Sequence, residues 1–463
     1  MKRMISMKRF FGLFSATLMI IFMLFIFFTL FVSCTDDNLN NINEGEFTNM
    51  TNMTNMNKNI YPIMYWFGPP VLDEKSVKEI AEAGFTRIPV EGKDKDDNIR
   101  IIKLCADAGI EAMVSDRRIT EAIGNRENRE SLLAQVVDDY KAFGNVKAYY
   151  ITDEPSYDDF EALGGVCAIL KKLDPEREAY INLFPNYASI EQLQTGSYKK
   201  HIDLYADIVK PAIISYDHYH FVGRDLENKS DAGENERERL IREAAWNTSQ
   251  RNGFFDNIEI IRDKSLETGI PFMVIILVVE HGPYRNLSEA EIRWEVFQSV
   301  AYGSSRISYF TYGTPDFDDS WKWANGMADT NGSLMRHYYE VRRINKDLQI
   351  VGAYLTGKKS TGVFHIGEEA DQSIKYYSLA ENTDGIIDIK TTGGLTLGFF
   401  GGGEIMLANK NYISVNKIDI SVESLKRVSV MDKSTGQWYK LDKVAGTCTL
   451  TIMPGDGELI KIS

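Results

Sequence analysis

The chain has 463 residues, more than one ordinary domain needs, with 44% hydrophobic residues, 11% aromatic residues and a formal net charge of -14. The hydrophobic share supports real cores. No long basic run follows the first ten residues, which argues against a nucleic-acid partner because phosphate binding needs clustered Lys and Arg. The four cysteines, Cys34, Cys105, Cys167 and Cys448, show no metal-ligand spacing, and only His218 and His220 pair among the histidines, so neither metal nor cofactor is expected.

In chain order, the first feature is a Met-Lys-Arg start, repeated at 7–9, followed by an apolar run from Phe10 to Val32. Ser33-Cys34 closes that run and Thr35-Asp36-Asp37 follows. A basic start, an apolar stretch and a small residue at the cut are the parts of an export signal. Phe31-Val32-Ser33-Cys34 resembles the lipobox of bacterial lipoproteins, with Phe31 where Leu is usual. The resemblance implies removal of residues 1–33, lipidation of Cys34 and attachment to a membrane of the cell envelope. The expected location is the outer membrane, facing the periplasm or the surface. Uncleaved, the same run would be long enough to span the ~30 Å hydrocarbon core of a bilayer as an anchor. Residues 34–60, rich in Asn, Thr and Met, read as a flexible tether.

From Tyr61 short apolar strands alternate with amphipathic helical stretches, the pattern of βα units around a parallel sheet. Eight strands are predicted: Pro62–Phe67, Thr86–Val90, Glu111–Ser115, Lys147–Thr152, Ala179–Leu183, Ala212–Tyr216, Pro271–Val279 and Ile307–Thr311. Helices Ser76–Ala83 and Asp97–Ala108 each run into a glycine, Gly84 and Gly109, which accepts the left-handed conformation that closes a helix. Ser288 and Glu291 fit a capping box opening helix Glu289–Ala301. Eight units over residues 61–350 predict a (β/α)8 TIM barrel, a fold of ~250 residues or more. The charged segment Arg224–Arg242 reads as a solvated insertion. An open doubly wound sheet is the rival, but Phe67-Gly68-Pro69-Pro70 cannot serve as its phosphate-binding turn. From 351 to 463 alternating strands such as Ser373–Leu379, Ile386–Thr391 and Arg427–Asp432 predict a C-terminal β-sandwich that packs on the barrel and supplies no catalytic carboxylate, Glu404 and Glu458 included.

Active sites of such barrels lie at the C-terminal ends of the strands. The fourth strand leads into Asp153-Glu154-Pro155, and the seventh into Glu280-His281-Gly282. Two carboxyl groups at one mouth are what hydrolysis of a glycosidic bond needs: one protonates the leaving oxygen, the other attacks carbon or activates water. Asp217 is a third carboxylate, with Tyr216 and His218 beside it as groups that would orient a nucleophile. Trp66, Trp321 and Trp323 fall near strand ends, where aromatic faces suit the apolar faces of sugars.

An acid/base Glu after strand four and a nucleophilic Glu after strand seven resemble the large retaining glycoside hydrolase clan that includes many β-galactosidases, β-glucosidases, cellulases and mannanases. Tyr150-Ile151-Thr152-Asp153-Glu154-Pro155 matches its strand-four signal, with Asp153 where Asn is more usual. Ala301-Tyr302-Gly303 to Tyr309-Phe310 looks like the strand-eight region of its β-galactosidase-like members. The resemblance implies Glu154 as acid/base, Glu280 as nucleophile, Asp153 at the sugar 2-hydroxyl, and an oligo- or polysaccharide substrate. Two other readings stay open: an inverting hydrolase using Glu154 with Asp217, and a non-catalytic surface glycan-binding lipoprotein.

Overall fold

Strands β1 (Ile63–Tyr65), β2 (Arg87–Val90), β3 (Glu111–Val114), β4 (Val146–Asp153), β5 (Glu178–Leu183), β6 (Ile214–Asp217), β7 (Phe272–Leu277) and β8 (Arg306–Phe310) build one parallel sheet in the order β1-β8-β7-β6-β5-β4-β3-β2. Its ends meet at Thr86, just before β2. The Thr86 N–H donates to the Ile63 carbonyl at 3.0 Å, and the Ile63 N–H donates to Thr86 Oγ1 at 2.9 Å. The computed structural model describes residues 60–223, 249–316, 321–367, 375–377 and 385–463. The leader, Cys34, the tether, Arg224–Arg242, the loop Phe317-Asp318-Asp319-Ser320 and all but 375–377 of Ser373–Leu379 lie outside the described residues.

Local chemistry sets the helix ends. Asp73 and Ser76 form a capping box ahead of helix Glu74–Glu82, Asp94 accepts from the Asp97 N–H ahead of Lys95–Asp107, and Ser288 with Glu291 caps Glu289–Ala301. Gly84 and Gly109 follow the first two helices with φ of +81° and +72°. Between β3 and β4 the chain makes two helices, Arg117–Gly124 and Arg129–Tyr140. Cys105, Cys167 and Cys448 are buried free thiols.

The barrel is filled rather than hollow. Met64, Met113, Ala148, Tyr180, Ile213, Met273 and Ile275 pack together inside it, with Trp66, Tyr150 and Phe310 against them. Charges are confined to its two ends. At the N-terminal end Arg87 donates to Glu111 at 2.9 Å and to Glu178 at 2.8 Å, and Arg306 also pairs with Glu178.

The last barrel helix, Arg336–Leu355, runs past the boundary expected at 350, because Val351, Gly352 and Leu355 continue its buried face. Among the described residues ten antiparallel-paired strands follow: β9 (Ser360–Ile366), β10 (Ile386–Thr391), β11 (Leu395–Phe400), β12 (Glu404–Asn409), β13 (Asn416–Val422), β14 (Val428–Met431), β15 (Trp438–Lys440), β16 (Lys443–Val444), β17 (Thr447–Ile452) and β18 (Gly457–Ile462). They form sheets β10-β13-β17-β16 and β15-β14-β18-β12-β11-β9. Alternation along β12 divides the packing: Ile405 and Leu407 enter the sandwich core, whereas Met406 and Ala408 join the barrel cluster. The larger sheet therefore has both faces covered, the second by helix Glu289–Ala301. Trp294 Nε1 donates to the Lys410 carbonyl at 3.0 Å, and Tyr302 Oη lies 2.8 Å from His365 Nε2. Glu404 accepts from Tyr354 and Lys358, and Glu458 pairs with Lys433.

Gly398 is where sheet and helix come closest, since a Cβ there would stand 1.9 Å from the Ala301 carbonyl oxygen. Gly398→Val is expected to lose about 1–3 kcal/mol of stability through forced separation of the seam. Chemical denaturation checks this, and an unchanged midpoint would refute the close approach.

Candidate active site

Strand β4 delivers the first carboxylates through an irregularity. Tyr150 pairs with Tyr180 and Thr152 with Ile181, so one residue of β4 bulges out of register. Before the bulge Ala148 and Tyr150 face inward; after it Asp153 comes opposite Asn182 and faces inward too. The next residue, Glu154, takes a left-handed φ of +45°, uncommon for a side chain other than glycine, and its N–H is tied to the Asn182 carbonyl at 2.9 Å. The fold thus holds Glu154 in a strained turn at the C-terminal end of the barrel.

Asn182 is the organising residue, and the sequence reading had not singled it out. Its Nδ2 donates to Asp153 Oδ1 and to Asp217 Oδ1, each at 3.1 Å. Its Oδ1 accepts from Ser215 Oγ at 2.9 Å, and Ser215 in turn meets Tyr180 Oη at 2.8 Å. Adjacent strands therefore bring Asp153, Glu154 and Asp217 into one electrostatic group. Burial, aided by the charges of Glu154 and Asp153, pushes Asp217 well above the usual carboxylate range. Burial also raises Asp153, partly offset by the Asn182 hydrogen bond, although Asp153 is still reached by solvent from the mouth. Glu154 is pushed up to about 7, chiefly by burial and then by the Asp153 charge.

Glu280 follows β7 and is half-buried. Its backbone makes a two-way bridge with Ala324, 2.9 Å in each direction, and Asn325 Nδ2 donates to its Oε2 at 2.6 Å. Arg285 is taken up by Glu291 instead. Asn325, also missed from sequence, is therefore the donor on Glu280, where Tyr216 and His218 had been expected. The reason is strand parity. Ser215 and Asp217 face the barrel interior, so Tyr216 faces outward and is fully buried in the layer between strands and helices. His218 is fully buried between Tyr187 and Phe254, 5.2 and 5.4 Å between ring centroids, and burial holds it well below the usual histidine range.

Aromatic rings wall the same end. Trp66 is half-buried, edge-on to Tyr150 at 5.7 Å. Trp323 stacks on His281 at 4.3 Å, and Tyr219 stacks on Phe310 at 5.2 Å. Trp321 remains 42% exposed and its ring closes on Gly282, where a Cβ would come 2.1 Å from it. Among the described residues no group of three or more His, Cys, Asp or Glu is arranged to hold a metal ion.

No protein-family model matches the chain, and no curated protein matches it in sequence. In three dimensions it is similar to a glycoside hydrolase family 5 structure from Bacteroides vulgatus ATCC 8482, with a TM-score of 0.52, 10% identity, and coverage of 87% of this chain and 89% of that one. It is also similar to a second structure, described as a glycoside hydrolase, with a TM-score of 0.51, 9% identity, and coverage of 87% and 92%. At such identity the likeness establishes the fold, an eight-stranded α/β barrel with antiparallel sheets in the C-terminal part.

The raised Glu154 has a consequence for stability. The folded state holds its proton up to about pH 7, whereas an unperturbed Glu gives it up near 4.5. Stability from this group is complete below about pH 4.5 and is lost as pH rises through about 7. Glu154→Gln is therefore expected to stabilise the protein at pH 8 by about 1–3 kcal/mol and to have no effect near pH 4. Denaturation at both pH values measures it, and an equal effect at both would contradict the shift.

Proposed function

We propose that the chain is a glycoside hydrolase that cleaves a glycan by the retaining two-carboxylate route, with Glu154 as acid/base and Glu280 as nucleophile. The observation that carries this reading is Glu154 itself: a glutamate at the C-terminal end of β4 whose pKa is lifted to about 7 by burial and a neighbouring carboxylate. A general acid must still hold its proton near working pH, and the same group must accept one from water in the second half of the reaction. Glu280, oriented by the Asn325 amide, supplies an oxygen to attack the anomeric carbon. The fold likeness to two glycoside hydrolase structures is consistent with this chemistry.

Asp217 is the alternative partner of Glu154, in an inverting mechanism. Its burial and its hydrogen bond from Asn182 count against that role, because a base that activates water must be ionised and reachable. A binding protein without turnover is the remaining reading. The aromatic wall, with Trp321 exposed over Gly282, suits sugar faces in any of the three.

The kinetic expectations separate them. Glu280→Gly loses nearly all hydrolysis and recovers part of it with azide as a substitute nucleophile. Glu154→Ala loses about 10²–10⁴ in rate on poor leaving groups and little on good ones, which need no proton. Activity falls above about pH 7 as Glu154 ionises, and Asp153→Asn moves that limb to lower pH. Product NMR shows the first-formed anomer with retained configuration; inversion would replace Glu280 with Asp217, and sugar binding without turnover would leave only the binding role.

The working site of the protein, on this proposal, is the cell envelope, with residues 1–33 removed and Cys34 lipidated, as Val32-Ser33-Cys34 suggests. Mass spectrometry of membrane-extracted protein is expected to find a diacylated or triacylated Cys34 at the N-terminus. Residues before Cys34 on the extracted protein would instead mean an uncleaved anchor.

A further inference from the structure

The geometry points to Arg251 as the recognition group for an oxyanion on the sugar, so that the glycan bound at this mouth is acidic, bearing a carboxylate or a sulfate ester. The inference rests on the barrel mouth being a glycan site, as proposed above, and does not depend on turnover.

Arg251 sits in the segment after β6, its backbone N–H bonded to the His220 carbonyl at 2.7 Å. Its guanidinium carbon lies 3.7 Å over the Tyr187 ring, from the segment after β5, and 5.5 Å from the Tyr284 ring, after β7. Nη2 donates to Tyr284 Oη at 3.2 Å. Two aromatic rings from the flanking strand ends therefore hold the planar group in place. Arg251 pairs with no carboxylate among the described residues, and its Nε is buried with no acceptor there. Three more deeply buried arginine side chains contrast with it: Arg87 has Glu111 and Glu178, Arg177 has Asp174, and Arg285 has Glu291. A half-buried guanidinium without a carboxylate is costly to keep, and a guanidinium is a ready partner for an oxyanion.

Its neighbours put this cation at the site. The Tyr219 N–H lies 3.5 Å from the Tyr187 hydroxyl, two residues after Asp217, and Asn182 joins Asp217 to Asp153 beside Glu154. Tyr219, stacked on Phe310 and edge-on to Tyr284, continues the wall toward Trp323 and Trp321. The local carboxylates do not oppose an acidic sugar as their number suggests. Asp217 is held toward its neutral form, and Glu154 is pushed up to about 7. An anion bound beside them would hold the Glu154 proton more firmly still, which favours its acid role.

The test uses full-length mature protein carrying Glu154→Gln, so that binding is read without hydrolysis, and three galactose-based probes: oligogalacturonides, carrageenan oligosaccharides and uncharged galacto-oligosaccharides. Calorimetry is expected to show at least one acidic series binding about tenfold or more tighter than the neutral one. Raising salt from about 50 to about 500 mM should erode that margin. Adding Arg251→Gln should abolish the margin, and Arg251→Lys should restore part of it. Preference for the galacturonides assigns a uronate, and preference for the carrageenan series a sulfate ester. Equal binding of all three series, or a margin that survives Arg251→Gln, overturns the inference. The salt series on protein with Arg251 intact keeps the test decisive if Arg251→Gln misfolds. Absence of turnover in the protein with Glu154 intact, with the acidic preference present, would overturn the hydrolase reading and leave this one standing.

Discussion

A filled barrel tolerates charge only where its strands stop. Tyr180, Met113, Met273 and Ile275 occupy the interior, so an ionised group placed among them would lose its water and gain no partner. The structure sends its charges to the two ends and treats them oppositely. At the N-terminal end Arg87, Glu111, Glu178 and Arg306 neutralise one another across strands β2, β3, β5 and β8. At the C-terminal end carboxyls gather with a single amide between two of them, and the balance is met by proton uptake instead of ion pairing. One end is closed by ion pairs; the other holds its carboxyls toward the neutral form.

The architecture was legible because it repeats. Eight apolar runs, two helix-closing glycines and the Ser288–Glu291 box each carry a local physical signal that no distant contact has to complete, and all eight strands overlap their expected spans. Glu154 and Glu280 were visible for the same reason, as acidic residues directly after apolar strands. Parity was harder. Tyr216, Asp217 and His218 are adjacent in sequence, but a strand sends neighbours to opposite faces, and only the Ser215–Asn182 and Asp217–Asn182 bonds reveal which face is inside. Asn182 itself was hidden in an apolar strand, though Tyr180 and Asn182 stand two apart on one face, a polar pair that marks an inward-facing site. The bulge in β4 has no such signal, since it depends on pairing with β5.

Helix Glu289–Ala301 joins the two halves of the molecule. On the barrel side Glu295, fully buried, accepts from the His220 and Leu277 N–H groups at 3.3 and 3.1 Å. It thereby fastens the segment after β6 to the end of β7, the two places from which Asp217 and Glu280 arise. On the other side Trp294 and Gln298 donate to the carbonyls of Lys410 and Asn409. The same turn of helix therefore supports the mouth and carries the sandwich.

From Trp294 to Ala301 every residue of that helix is buried, so it has no solvent face of its own. Domains within a chain usually meet across an interface polar enough for either side to present to water. Here the cut has no clean place to fall: separating the sandwich would bare Met406 and Ala408 on its side and the outer face of the helix on the other. A chimera exchanging sandwiches would have to carry helix Glu289–Ala301, and with it the anchorage of the mouth, across the junction.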